Sequence, residues 1–226
     1  MRWNAVKLDH IKSPERYSLV GGPFGSELTM RDYTNEGVPV IRGNNLPDDR
    51  SFHDDDFAFV SEEKAGKLAP NTAYPGDVVF TQRGTLGQVG LIPPYARFSR
   101  YIISQSQMKL TVDRQRADPR FVYYFFRLPT TIQRIKNHAL SSGVPHINLG
   151  ILKSIDVPLP SLDLQKRTAD VLSGYDDLIE NNGRGWHCSK SRHGCSIVSG
   201  SCACAFPAMS MRVSLMAYQR SGNANR

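Results

Sequence analysis

Between Leu162 and Asn182 the apolar residues fall on one line. Leu164, Val171, Leu172, Tyr175, Leu178 and Ile179 recur at the spacing of a single helix face, with Lys166, Arg167, Asp170 and Asp177 elsewhere on the helix. Such a helix cannot be completed by its own residues, because alone it leaves the stripe in water. A chain that carries it must supply a partner for that face or borrow one. Past Asn182 the periodicity stops. Residues 183–226 contain six Lys/Arg, no Asp or Glu, and all four cysteines, Cys188, Cys195, Cys202 and Cys204.

The first 160 residues read differently. They alternate short strand-like and helix-like pieces without an internal repeat. "VPVIRGNNL" (Val38 to Leu46) predicts a strand running into a polar loop. "SEEKAGKL" (Ser61 to Leu68) predicts a short helix, with Ser61 as cap and two acids in its first turn. "PGDVVFTQRGTLGQVGLIP" (Pro75 to Pro93) predicts strand, glycine-bearing turn and strand, and "YIISQSQMKLTV" (Tyr101 to Val112) one further strand. Asp118-Pro119 is a helix start, with the aromatic stripe Phe121, Tyr124 and Phe125 packed as core. A second helix follows Pro129. "SSGVPHINLGILKSIDVPLP" (Ser141 to Pro160) predicts a loop, a one-turn helix capped by Asn148, and a last strand. The expected fold is α+β: a mixed, small-sheet domain over residues 1–160, then the start of a long coiled-coil-type helix over 161–182, then an aberrant tail over 183–226.

Charge narrows the function classes. Of the net +7, the tail alone supplies +6, yet Arg97 to Lys136 still holds nine basic residues against Asp113 and Asp118. A local basic segment therefore survives without the tail, as expected of a surface that meets nucleic acid. No apolar run opens the chain or approaches the ~20 residues of a membrane span, so a cytoplasmic location and no membrane contact are expected. His187 and His193 have H-x₅-H spacing, but the cysteines form no C-x-x-C knuckle, so no metal is expected.

Catalytic patterns fail on inspection. Pro93-Pro94-Tyr95 resembles the (Asn/Asp)-Pro-Pro-(aromatic) motif of amino-methyltransferases, but Ile92 stands where a polar residue must hold the target amino group. Asp48, Glu62 and Lys64 superficially fit the PD…ExK nuclease pattern, whose carboxylates must converge on a metal, usually from adjacent strands. Here Glu62 and Lys64 open a helix. There is no G-x-S-x-G, H-E-x-x-H or P-loop.

What remains is polar loops of base-reading type: Arg42, Asn44 and Asn45; Gln82, Arg83, Thr85 and Gln88; Ser142, His146 and Asn148; with Arg100 in the basic segment. Arginine bonds guanine, and Asn or Gln bonds adenine, in two-point fashion.

The ordered segments resemble the specificity (S) subunits of type I restriction–modification enzymes. The stretches that carry the resemblance are "GGPFGSEL" (Gly21 to Leu28), "VPVIRGNNL", "GDVVFTQRGTLGQVGLI" (Gly76 to Ile92), "YIISQSQMKL" (Tyr101 to Leu110), "FVYYFFR" (Phe121 to Arg127), "GVPHINLGILKSIDVPLP" (Gly143 to Pro160) and "LDLQKRTADVLSGYDDLIENN" (Leu162 to Asn182), which cover nearly all of 18–182 in the family's order. The resemblance implies one target-recognition domain followed by the start of the family's spacer helix. It implies a non-catalytic subunit that recognises double-stranded DNA and directs adenine methylation and cleavage by partners. Those partners are the methyltransferase (M) and restriction/motor (R) subunits. S-adenosylmethionine, ATP and Mg would then belong to them, with no cofactor in this subunit. The stripe from Leu164 to Ile179 would be the helix interface.

A full S subunit carries two recognition domains in about twice this length, and its helix runs past the position of Asn182. Ordinary synonymous codons chosen for Val198 to Ser210, read two nucleotides later, encode a segment resembling the one the family carries after its long helix. The expectation is a truncated S subunit whose residues 183–226 are read out of frame and are disordered. Two alternatives stay open: a half-size S subunit acting as a homodimer, and a stand-alone metal-dependent nuclease using Asp48, Glu62 and Lys64.

Overall fold

The structure, a computed structural model, describes residues 3–139 and 145–192. The chain divides into two units, Met1–Trp186 and His187–Arg226. Everything below on packing concerns the first. Ser142 lies outside the described residues, and so do His193 and Cys195, Cys202 and Cys204 of the tail.

Eleven strands and five α-helices are described, most of them short. In chain order they are β1 (Asn4–Lys7), β2 (Leu19–Gly21), β3 (Tyr33–Thr34), β4 (Val38–Ile41), β5 (Ala58–Val60), α1 (Glu62–Lys67), β6 (Thr72–Ala73), β7 (Val78–Thr81) and β8 (Val89–Leu91). There follow β9 (Tyr101–Ile103), β10 (Gln107–Leu110), α2 (Pro119–Arg127), α3 (Pro129–Asn137), α4 (Leu149–Ser154), β11 (Asp156–Leu159) and α5 (Leu162–Arg192). They form a four-stranded antiparallel sheet in the order β2-β10-β7-β8 and a five-stranded sheet in the order β3-β5-β4-β9-β6, whose β4/β9 pair is parallel. A ribbon of β1 and β11 ties the start of the chain to the strand that feeds α5, with Lys7 opposite Asp156.

Strand β7 shows how the layers are built. Side chains alternate between the two faces of a strand. Val78 and Phe80 enter a core with Val122, Tyr123 and Phe126 of α2, Ile135 of α3 and Leu152 of α4. Val79, on the other face, joins Ile41, Tyr101 and Ile103 of the five-stranded sheet. The sheet is thus buried on both sides, and β7 and β10 are buried at every position. Phe80 and Phe126 meet edge-to-face at 4.8 Å.

Most expected elements form for the expected reasons. The Ser61 hydroxyl accepts the Lys64 N–H at 3.2 Å at the start of α1. The Asp118 carboxylate accepts the Arg120 and Phe121 N–H groups at 2.8 and 3.3 Å ahead of Pro119. The Asn148 amide oxygen accepts the Ile151 N–H at 2.9 Å. Of the aromatic stripe, Phe121 is buried while Tyr124 and Phe125 are half-buried; the fully buried aromatics are Tyr123 and Phe126.

Two elements differ from the sequence reading. The single strand expected over Tyr101 to Val112 is two, β9 and β10, in different sheets. A tight turn divides them, with the Gln107 N–H on the Ser104 carbonyl at 3.1 Å and the Ser104 hydroxyl on the Gln107 side chain. Alternation alone could not show that break, because both halves are buried throughout. The last helix runs past Asn182 to Arg192. Extending a helix gains one hydrogen bond per residue fixed, and residues 183–192 contain Gly183 and Gly185 but no proline to stop it.

The way α5 sits is unusual. It buries Gln165 and Ala169 against the domain, with Arg120–Asp170 at 2.7 Å and the Tyr124 hydroxyl donating to Asp176 at 2.8 Å along the same side. Leu164, Val171, Leu172, Tyr175, Leu178 and Ile179 all stay exposed, between 37% and 62%. The helix docks on its own domain by its polar and small residues and keeps its apolar stripe outward.

Candidate nucleic-acid interface

A cleft of about 690 Å³ opens where five segments distant in sequence meet. The loop after β2 supplies Gly21 to Gly25 and Glu27, the end of α1 and the turn after it supply Lys67, Leu68, Pro70 and Asn71, the β7–β8 turn supplies Gln82 and Arg83, the β9–β10 turn supplies Gln105, and the start of α4 supplies Asn148 to Gly150. Backbone bonds hold these together. The Ile147 N–H donates to the Gln82 carbonyl at 3.0 Å, and Arg83 bridges to His146 in antiparallel fashion. The Gln82 N–H donates to the Ser106 carbonyl at 2.7 Å. A second cleft, about 480 Å³, shares Gly25 and Gln105 with the first and is lined by Arg42, Ser104, Ser106 and Met30.

The loop after β2 is held from three directions. The Gln105 amide donates to the carbonyls of Gly25 and Leu28 at 2.7 and 2.6 Å, and the Asn71 amide donates to the Gly21 carbonyl at 2.7 Å. The Glu27 carboxylate accepts the Phe24 N–H at 2.9 Å. Gly22 lies so close to the β9–β10 turn that a Cβ there would collide with the Ser104 carbonyl oxygen.

The expected base-reading residues divide into groups. Gln82 and Arg83 line the main cleft, as does Asn148, whose amide oxygen caps α4. Thr85 is exposed at the tip of the same turn, between Gly84 and Gly87, both at positive φ. Gln88 is half-buried near Gly43, its amide oxygen 3.9 Å from where a side chain on that glycine would begin. Arg42 lines the second cleft with Nη2 on the Asp56 carbonyl at 3.0 Å, leaving Nε buried without a hydrogen-bond partner.

Three residues make their hydrogen bonds or ion pairs within the protein. Asn45 is fully buried, and its amide spans the loop, donating to the carbonyls of His53 and Asp55 at 3.1 and 3.0 Å and accepting the Arg42 N–H at 2.9 Å. It shapes the loop. Asn44 is exposed but donates to the Asp56 carboxylate at 2.9 Å. Arg100 lines neither cleft and pairs with Glu62. That pair also occupies one residue of the nuclease alternative; another, Lys64, pairs with Asp32 at 2.9 Å. Among the described residues no His, Cys, Asp or Glu cluster is grouped to hold a metal ion.

The arrangement is an open cleft of mixed lining, with amide groups and a cation set among apolar side chains. Residues 27–184 match the family model described as the type I restriction modification DNA specificity domain. This chain belongs to that family.

Relatives within the type I specificity family agree. The chain is 28% identical over 186 residues to the type I restriction enzyme MjaIX specificity subunit of Methanocaldococcus jannaschii, which covers 79% of this chain and 39% of that protein. It is 32% identical over 78 residues to the MjaVIII specificity subunit of the same organism, or 34% of this chain and 18% of that one. The fold is similar to the S subunit of a type I restriction–modification system from M. genitalium, with a TM-score of 0.55 at 20% identity over 80% of this chain and 41% of that one. It is also similar to a chain from a study of complex assembly and conformational transition in the type I R-M system, with a TM-score of 0.60 at 16% identity over 84% and 42%. The chain thus spans less than half the length of the specificity subunits it matches.

Sequence reasoning did not single out Gln105, Asn71 or Phe24. Gln105 sits inside what reads as a strand, and Asn71 carried no motif. The Gly-Gly-Pro-Phe-Gly run was a visible signal, since so short an apolar side chain stretch between glycines has no strand or helix to bury it.

Proposed function

We propose that this chain is one target-recognition half of a type I specificity subunit, reading a short stretch of double-stranded DNA through the cleft formed by the β2 loop, the β7–β8 turn, the β9–β10 turn and the start of α4. The single observation that carries the reading is the convergence of Gln82, Arg83 and Asn148 on one cleft of a chain of this family. Side chains of these types give two-point bonds to base edges in the major groove. The subunit carries no catalysis of its own. Methyltransferase subunits, with S-adenosylmethionine, and restriction subunits, with ATP and Mg, supply adenine methylation and cleavage once it has placed them.

The test is selection of the full chain on a randomised duplex pool at two salt concentrations, followed by sequencing. A short enriched motif, with affinity falling as salt rises, is the expected result. Binding without enrichment overturns it.

A second reading is favoured by the outward stripe of α5. A chain that presents its α5 stripe outward can rebuild a two-domain reader by pairing α5 with that of a second copy.

A further inference from the structure

The cleft carries a feature that its polar donors do not account for. Phe24 is 84% exposed at its rim, and Met30, on the adjoining cleft, is 84% exposed. Tyr17 lines the same cleft and is also exposed. Single exposed apolar residues are ordinary, but Tyr17 and Phe24 share one cleft and Met30 lines the next, all from one short stretch of chain. Nor is the Phe24 loop loose. Gln105, Asn71 and Glu27 each hold its backbone, and Gly22 is pressed against the β9–β10 turn. A loop immobilised with its largest apolar side chain in water has lost its freedom in advance, so little more is lost when that side chain meets a ligand.

We propose that Phe24 is a specificity-determining residue that reads one thymine of the half-site by apolar contact with its 5-methyl group. The proposal rests on the DNA-recognition reading above. Its chemistry follows from the neighbours. Gln82, Arg83 and Asn148 offer hydrogen bonds suited to purine edges on the same cleft, and Phe24 is the large exposed apolar side chain beside them. In the major groove the thymine methyl is the one apolar mark among the base edges, and phenylalanine is among the side chains that contact it. A wedge between base steps would instead belong to a minor-groove binder that bends its duplex.

The experiment uses the full chain as wild type, Phe24→Ala and Phe24→Leu, each taken through selection on the randomised duplex pool. The selected site is then rebuilt with deoxyuridine replacing each thymidine in turn, which removes the methyl group alone. The expected result is one position at which wild type loses roughly ten-fold in affinity on losing the methyl. At that position Phe24→Ala binds both duplexes equally and Phe24→Leu keeps part of the discrimination. Unchanged thermal midpoints show that the variants fold. A selected site with no thymine, or a methyl that matters equally to wild type and Phe24→Ala, overturns the role of Phe24 and leaves DNA recognition standing. No enrichment by wild type overturns both.

Discussion

The side-chain amide of Gln165, on α5, completes the N-terminus of α2: its oxygen accepts the backbone N–H of Asp118 at 3.0 Å, while its nitrogen donates to the carbonyls of Pro160 and Arg116 at 2.9 and 3.4 Å. All of this is buried, with Gln165 1% exposed. One glutamine thus fixes where α5 leaves the domain. Gln165→Leu keeps the volume but leaves the Asp118 N–H and the Pro160 carbonyl without that partner. The expected loss is about 1–3 kcal/mol of stability, read as a lower denaturation midpoint. An unchanged midpoint would show that the junction does not depend on this residue.

The apolar seam makes the opposite expectation. Val171 and Leu178 are 60% and 59% exposed, so Val171→Lys with Leu178→Lys should shift the chain's own stability by no more than about 0.5 kcal/mol for each change. If α5 pairs with a second copy, wild type sediments as a dimer and the double variant as a monomer. A wild-type chain that stays monomeric at every concentration removes the homodimer reading.

Arg83 and Arg100 are both exposed arginines with different fates in the fold. Arg83→Ala should weaken binding and relax selectivity at one base position by about 1–3 kcal/mol, measured by competition between selected and altered duplexes. Arg100→Ala removes a surface pair with Glu62 and should leave the selected motif as it was, with under ~1 kcal/mol change in stability. A motif altered by Arg100→Ala and untouched by Arg83→Ala would place the interface elsewhere.

Asp77 and Lys109, on β7 and β10, are both buried, with Lys109 Nζ 3.4 Å from the carboxylate. Burial pushes the Asp77 carboxyl above its ordinary value of 3.8, opposed by Lys109, the Thr111 hydroxyl and the Tyr74 N–H. With the folded value above the unfolded one, this group favours the fold most below 3.8, and that contribution falls as pH rises through the folded value. Lys109→Met removes an opposing charge and steepens the fall. The expected loss is about 3–5 kcal/mol near neutrality and less near pH ~4, by denaturant titration at both. An equal loss at both would show that Asp77 carries no charge in the native protein.

Asp32 works in the other direction. The Lys64 ammonium and the Thr29 N–H and hydroxyl hold its carboxyl down to about 2. Its contribution is therefore present above the ordinary value of 3.8 and lost as pH falls towards about 2. Lys64→Met should flatten that acid limb of the stability profile, and an unchanged limb would show the pair to be idle.

Local chemistry alone determined much of this protein. Ser61, Asp118 and Asn148 cap the helices they were expected to cap, because a cap needs only its own next three residues. The α5 stripe was legible because periodicity at one face survives whatever the domain does. What the tertiary structure decided is pairing. Tyr101 to Val112 reads as one strand until the partners are known, since β9 pairs with β4 and β10 with β2 and β7. Asn45 and Arg83 read alike as polar loop residues, yet one fills its hydrogen bonds inside the loop and the other lines the cleft. That difference rests on contacts between residues far apart in the chain, which no spacing rule encodes.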